Sequence, residues 1–147
     1  MALDSGRALS GPDIARLLHE ARARTLLLVS PLDDEELRVQ HDPLMSPIVW
    51  DLGHIAHFEE VWLLENIEGG GGGREGLRGI YDPFRNPRAV RAGLDLPGRA
   101  DAFGYLAGVR KAVLERISTV DLGADSPLLA RGYVFRMVLQ HEYQHDE

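Results

Sequence analysis

Apolar side chains recur at spacings of three and four along most of this 147-residue chain, and no stretch alternates apolar with polar as a half-buried strand does. Ile14, Leu17, Leu18, Ala21, Thr25 and Leu28 form the first such stripe, with Ser10 as N-cap, Pro12 in the first turn and Pro31 ending the segment. A short acidic piece follows at 33–37. Ser46-Pro47 repeats the cap-then-proline signal and opens a second helix to about Ile67, apolar on most sides and therefore expected to lie between neighbours. A third helix, roughly 101–120, carries Leu106, Val109, Val113 and Ile117 on one stripe, and Ser126-Pro127 starts a fourth that runs to Glu147. The five glycines at 69–73 read as a flexible loop, because each loses so much backbone freedom on ordering. The proline-bearing stretch 81–97 reads as a long irregular crossover. Four helices with one long connection predict an all-α bundle.

A chain of this length with 44% hydrophobic side chains suits one compact domain, and no repeat of fixed period divides it. A formal charge of -7 argues against a nucleic-acid partner, whose phosphates are bound by clustered Lys and Arg. There is no cysteine, so any metal must be held by His, Asp or Glu. The N-terminus lacks an apolar signal core, and the apolar runs are too short to span a bilayer. A soluble cytoplasmic protein is expected.

Chemistry concentrates in the last helix. His141, Glu142 and His145 spell the H-E-x-x-H pattern of a zinc peptidase. At 100° per residue Val134, Met137, Val138, His141, Gln144 and His145 share one stripe, with Arg136, Tyr143 and Glu147 opposite and Glu142 beside it. Both imidazoles then point inward about 6 Å apart along the axis, close enough to bind one ion. Two core histidines hydrogen-bonded to neighbours are the plainer alternative. A metal needs a further ligand. His19 lies off its helix's stripe and His41 in a linker, which leaves His54, His57 or Asp51 on the second helix; periodicity does not choose among these three.

"SPIVWDLGHIAHFEEVWLL" (46–64), "YDPFRNPRAVRAGL" (81–94) and "GYVFRMVLQHEYQHDE" (132–147) resemble three successive blocks of the ergothioneine-forming sulfoxide synthases. These are bacterial non-haem iron enzymes whose N-terminal domain is a DinB-like helical bundle. The resemblance covers the chain from about Gly11, in order, and implies an all-α DinB-like four-helix bundle with a long crossover loop. It also implies iron(II) held by His54, His141 and His145. Three neutral imidazoles leave the charge of iron(II) unbalanced, which favours an anionic thiolate ligand. The implied reaction joins gamma-glutamylcysteine to hercynine with O2, forming a carbon–sulfur bond and oxidising the sulfur. Arg88 and Arg91 match the arginine pair that grips the thiol substrate's carboxylates, a role that suits the guanidinium fork. Gln144 matches the glutamine of the hercynine site. A solvated basic loop and a packing role are the respective plain alternatives.

Members of that family continue into a second domain, related to the formylglycine-generating enzyme, which closes the site. The chain ends at Glu147 without a glycine cap or trailing proline, so a fragment lacking that C-terminal domain is expected. Two rival readings stand beside the synthase. A zinc peptidase would use Glu142 as base and need a third ligand downstream. A stand-alone DinB-like bundle would bind zinc or nickel for thiol transfer or for no catalysis.

Overall fold

The computed structural model describes residues 8–68 and 75–147, and the glycine run lies outside the described residues. Helix α1 (Gly11–Val29) begins where the sequence predicts. The Ser10 hydroxyl accepts the Asp13 N–H at 3.2 Å, while the Asp13 carboxylate accepts the Ser10 N–H at 3.1 Å, so two orphan donors are satisfied locally. The same reciprocal cap, Asp33 with Glu36, starts the one-turn α2 (Asp34–Arg38). Helix α3 (Ile48–Glu60) follows Pro47 and runs on through a π-helical turn, Val61–Glu65, into α4 (Asn66–Glu68). A short helix, α5 (Glu75–Tyr81), leads into the crossover at 81–97, which itself carries one further turn, α6 (Arg88–Arg91), and is otherwise irregular as its prolines suggest. Helix α7 spans Arg99–Ile117, slightly earlier than the periodicity predicts.

The last helix corrects an expectation. α8 spans Tyr133–His145 and does not start at Ser126-Pro127. Arg131 (φ 54°) and Gly132 (φ 70°) adopt left-handed backbone at a short 3-10 turn, and the helix can propagate only after them. Glycine is favoured at 132 by the left-handed backbone, and a Cβ there would also crowd the Leu9 side chain at 3.0 Å.

Side-chain pairs fix the helix directions. Arg22 meets Glu142 and Arg24 meets Asp146, so α1 and α8 run parallel. Asp51 meets His145 and His54 meets His141, so α3 and α8 are antiparallel. Arg22 reaches the Leu106 carbonyl and Arg110 the Leu18 carbonyl, so α1 and α7 are antiparallel. Helices α3 and α7 are therefore parallel, and a chain leaving one must travel the length of the bundle before entering the other. That geometry is why the crossover is long. It returns along α3, where the Trp50 indole donates to the Ile80 carbonyl at 2.9 Å and the Tyr81 ring lies across Gly53.

Ile14, Leu18, Leu52, Leu106, Val113, Val134, Phe135 and Leu139, each at most 2% exposed, fill the centre. Each contributes on the order of 1.5–3 kcal/mol by burial. The stripes of α1 and α7 are buried as predicted, except that Val29 turns inward and Leu28 is half exposed. On α8 the buried stripe is Val134, Phe135, Val138, Leu139 and Glu142, rotated from the predicted one. Glu142 occupies its middle, His141 and His145 its half-buried edge, and Gln144 is exposed. No helix of the described residues is long and apolar enough to cross a membrane.

Candidate metal centre

At that edge α8 faces α3, and His54, His141 and His145 converge. Among the described residues they form a group whose donor nitrogens all lie within 4.8 Å of one another. Ring centroids are 4.9 Å apart for His54 and His141, 5.1 Å for His54 and His145, and 4.7 Å for His141 and His145. Asp51 and His57, the other candidates on the second helix, are not members. His57 sits 60° further round α3 and turns to the Tyr105 hydroxyl at 3.4 Å. Asp51 instead touches the far nitrogen of His145, Oδ1 to Nδ1 at 3.3 Å.

Outer partners orient two of the rings. A carbonyl can only accept, so the 2.9 Å contact from His54 Nδ1 to the Tyr81 carbonyl puts the proton on Nδ1 and turns Nε2, a lone pair, toward the other imidazoles. The Asp51 carboxylate, 3.3 Å from His145 Nδ1, favours the proton on that nitrogen by its charge. Trp50 stacks on His54 (centroids 4.8 Å, 13° between planes) and Phe58 on His141 (3.8 Å, 9°), which limits rotation of both rings. Gly53 makes the carbonyl contact possible, since a Cβ there would stand 2.1 Å from Cζ of Tyr81.

Electrostatics disfavour the charged form of His54 and His141. Burial, opposed by the Tyr81 carbonyl and reinforced by His145, lowers His54 to about 4. Burial followed by the other two imidazoles lowers His141 to about 3. His54 Nε2 and His141 Nε2 are only 3.1 Å apart. Two lone pairs at that distance repel unless a proton or a cation stands between them. Nitrogens about 2.1 Å from one ion have this separation when they subtend nearly a right angle at it, so the pair fits a shared first-row metal.

Around this centre, Arg91 of α6 is buried, its guanidinium 3.6 Å from the Trp50 ring centroid. Its Nε donates to the Asn86 carbonyl at 2.8 Å and its Nη1 to the Ser46 hydroxyl at 2.5 Å. Burial lowers its pKa, with Asp51 opposing. Arg88 is exposed at the start of α6. Gln144 and Arg136 line a cleft of about 380 Å³ together with His141 and Phe58. A larger hollow, about 770 Å³ between α1 and α7, is lined by none of the three histidines.

Glu142 belongs to a second cluster that the periodicity does not reveal. Its Oε1 accepts from Arg22 Nε at 2.8 Å and from the Thr25 hydroxyl at 2.7 Å, and its Oε2 stands 3.4 Å from Arg110 Nη2. Arg22 and Arg110 also grip Glu59, at 2.8 Å each. With both oxygens held by cations, Glu142 has no freedom to act as a general base. A signal did exist in the sequence. Each of these four charges lies four residues after an apolar one (Leu18, Ile55, Leu106 and Val138), and the signs cancel, although the stripes themselves leave Glu142 at the side.

Residues 17–147 match the DinB superfamily. The hercynine oxygenase of Mycolicibacterium thermoresistibile is 47% identical over 140 residues, 92% of this chain and 29% of that protein. That of Mycobacterium tuberculosis is 47% identical over 143 residues, 94% of this chain and 31% of that protein. The hercynine oxygenase of Mycolicibacterium smegmatis is 45% identical over 132 residues. The chain thus spans about three tenths of the length of the curated relatives it matches. An all-helical bundle with the family match extending over nearly the whole of it leaves one assignment: this chain belongs to the DinB superfamily.

Proposed function

We propose that the chain is the iron(II)-binding domain of a hercynine oxygenase of ergothioneine biosynthesis, a sulfoxide synthase working in the cytoplasm. The observation that carries the reading is the convergence of three imidazoles whose outer nitrogens, on His54 and His145, are tied to Tyr81 and Asp51. The hydrogen bond to Tyr81 fixes the tautomer of His54, and an outer partner of either kind raises ligand basicity. Similarity to the mycobacterial hercynine oxygenases over more than nine tenths of the chain supplies the reaction class.

Iron(II), when bound, supplies the redox chemistry by which O2 joins the thiol of gamma-glutamylcysteine to an imidazole carbon of hercynine. Sulfur keeps one oxygen atom, and the other leaves as water with the thiol and ring hydrogens. The chain's own residues bind and orient. His54, His141 and His145 present imidazole donors, and Trp50 and Phe58 hold two of the rings in place. Arg88 and Arg91, on the crossover that also holds His54, are proposed to receive the carboxylates of the thiol substrate. Gln144, on the cleft beside His141, is proposed to contact hercynine. The remaining seven tenths of a full-length protein, including a formylglycine-generating-enzyme-like domain, are proposed to complete the substrate pocket. The stand-alone zinc or nickel bundle is the second reading, and the same histidine set supports it. With Glu142 held by Arg22 and Arg110, a peptidase reading has no base.

Anaerobic iron(II) titration of the wild-type chain beside His54→Ala tests the site. Wild type is expected to take up one iron per chain, and the variant to lose that uptake while keeping its helical circular dichroism. Equal uptake by both proteins contradicts the reading. A wild-type preference for zinc or nickel that excludes iron favours the second one.

A further inference from the structure

We propose that the buried cluster of Arg22, Glu59, Arg110 and Glu142 holds α8 in rotational register with α3, which makes Glu142 a positioning residue for the three-imidazole centre. The inference rests on reading that centre as a metal site.

Each long helix contributes one member: Arg22 from α1, Glu59 from α3, Arg110 from α7 and Glu142 from α8. Exposure is 7%, 0%, 8% and 1% respectively, so all four charges are desolvated. The two glutamates bond to the same two guanidiniums. Arg22 spans from Glu142 Oε1 to Glu59 Oε2, 2.8 Å at each end, and also donates to the Leu106 carbonyl at 3.1 Å. Arg110 meets Glu59 at 2.8 and 3.1 Å and Glu142 at 3.4 Å. Thr25 adds a further bond to Glu142.

Replacing a buried ion cluster with well-packed apolar residues is often neutral or stabilising, so bundle stability alone gives weak reason for this arrangement. Apolar contacts have no direction, whereas guanidinium–carboxylate bonds do. What the cluster adds is therefore a rotational setting for the helices it joins. Glu142 directly adjoins His141, and Glu59 lies five residues beyond His54, so the helices set by the cluster are those that carry the ligands. The leverage is large. A ring nitrogen stands about 5–6 Å from its helix axis, so a rotation of about 20° displaces it by about 2 Å. Metal coordination tolerates about 0.2 Å. The glutamate of the H-E-x-x-H letters thus acts on the metal site from a neighbouring face of its helix, 100° round from His141 and 60° from His145.

Cobalt(II) binding by the 147-residue chain tests this, with affinity from calorimetry and coordination from the ligand-field spectrum. Glu142→Gln is expected to remain helical, to bind cobalt(II) about tenfold to a hundredfold more weakly, as changes at outer-shell partners do, and to give an altered spectrum. Val113→Ala, a core substitution outside the cluster, is the stability control and should keep both wild-type affinity and spectrum. If Glu142→Gln fails to fold, Thr25→Val, which removes the hydroxyl that bonds Glu142 at 2.7 Å and the Ala21 carbonyl at 3.2 Å while leaving both guanidiniums in place, carries the test, with weaker binding and the same spectral change expected. Wild-type affinity and spectrum in the folded Glu142 or Thr25 variant overturn the proposal, as does equal weakening by Val113→Ala at matched stability. No cobalt(II) uptake by the wild type rejects the metal reading itself, and the inference with it.

Discussion

Two polar clusters share helices α3 and α8 and differ in completeness. Around Glu59 and Glu142 every charge meets an opposite one, and each carboxylate is held by both guanidiniums. Around His54, His141 and His145, nitrogens face one another with only a proton or a cation able to stand between them. Burying polar groups requires partners, and the first cluster finds all of its partners within the chain. The second finds partners on its outer side, and on its inner side sets one imidazole nitrogen against another at 3.1 Å. The comparison teaches where to look for function in a helical bundle: the candidate site is the polar group whose inward nitrogens face one another, where a cation can take the place of a proton.

That contrast can be broken at several points. The largest expected effect is at Arg110→Met, which leaves Glu59 and Glu142 sharing one cation in a buried site. Urea unfolding of the metal-free chain should show a loss of about 3–5 kcal/mol, the range for breaking a buried pair. A loss below about 1 kcal/mol would mean that the cluster is hydrated and less closed than described. Next comes Gly53→Ala, whose new methyl would collide with a buried aromatic ring, Tyr81. Overpacking costs about 1–3 kcal/mol. Because Tyr81 must move and its carbonyl holds His54, metal affinity should fall together with thermal stability, and retention of wild-type metal affinity would contradict the role given to that carbonyl. Smallest in stability and selective for the metal is Asp51→Asn. Its side chain is 27% exposed, so the fold should hardly notice, whereas loss of the carboxylate behind His145 should weaken metal binding about tenfold. Unchanged metal binding in a calorimetric titration would show that Asp51 does not orient the ring.

Much of this architecture is legible from the residues, and its failures have physical causes. The start of α1 is readable because Ser10 and Asp13 cap it locally, within four residues. The start of α8 is not, because Ser126-Pro127 carries the same letters and the chain is turned instead by the left-handed pair Arg131 and Gly132 beneath Leu9, a tertiary contact. His54 and His57 cannot be separated by periodicity, since a helix buried on most sides gives 60° of rotation no polar or apolar contrast; family resemblance selects His54, the one that joins the histidine group. Apolar patterning places His141 and His145 at the centre of the α8 stripe and Glu142 beside it, and the folded chain reverses this. A carboxylate can take the central position only when two arginines from other helices meet it, which no single-helix pattern can express. Gln144 is exposed for the same reason: the whole stripe is rotated toward Glu142.

X-ray absorption of the iron(II)-loaded chain is the most direct measurement of the central claim. Three imidazole nitrogens about 2.1 Å from the iron, falling to two in His54→Ala, are the result predicted here. A shell of oxygen ligands, or the same imidazole number in both proteins, would contradict it.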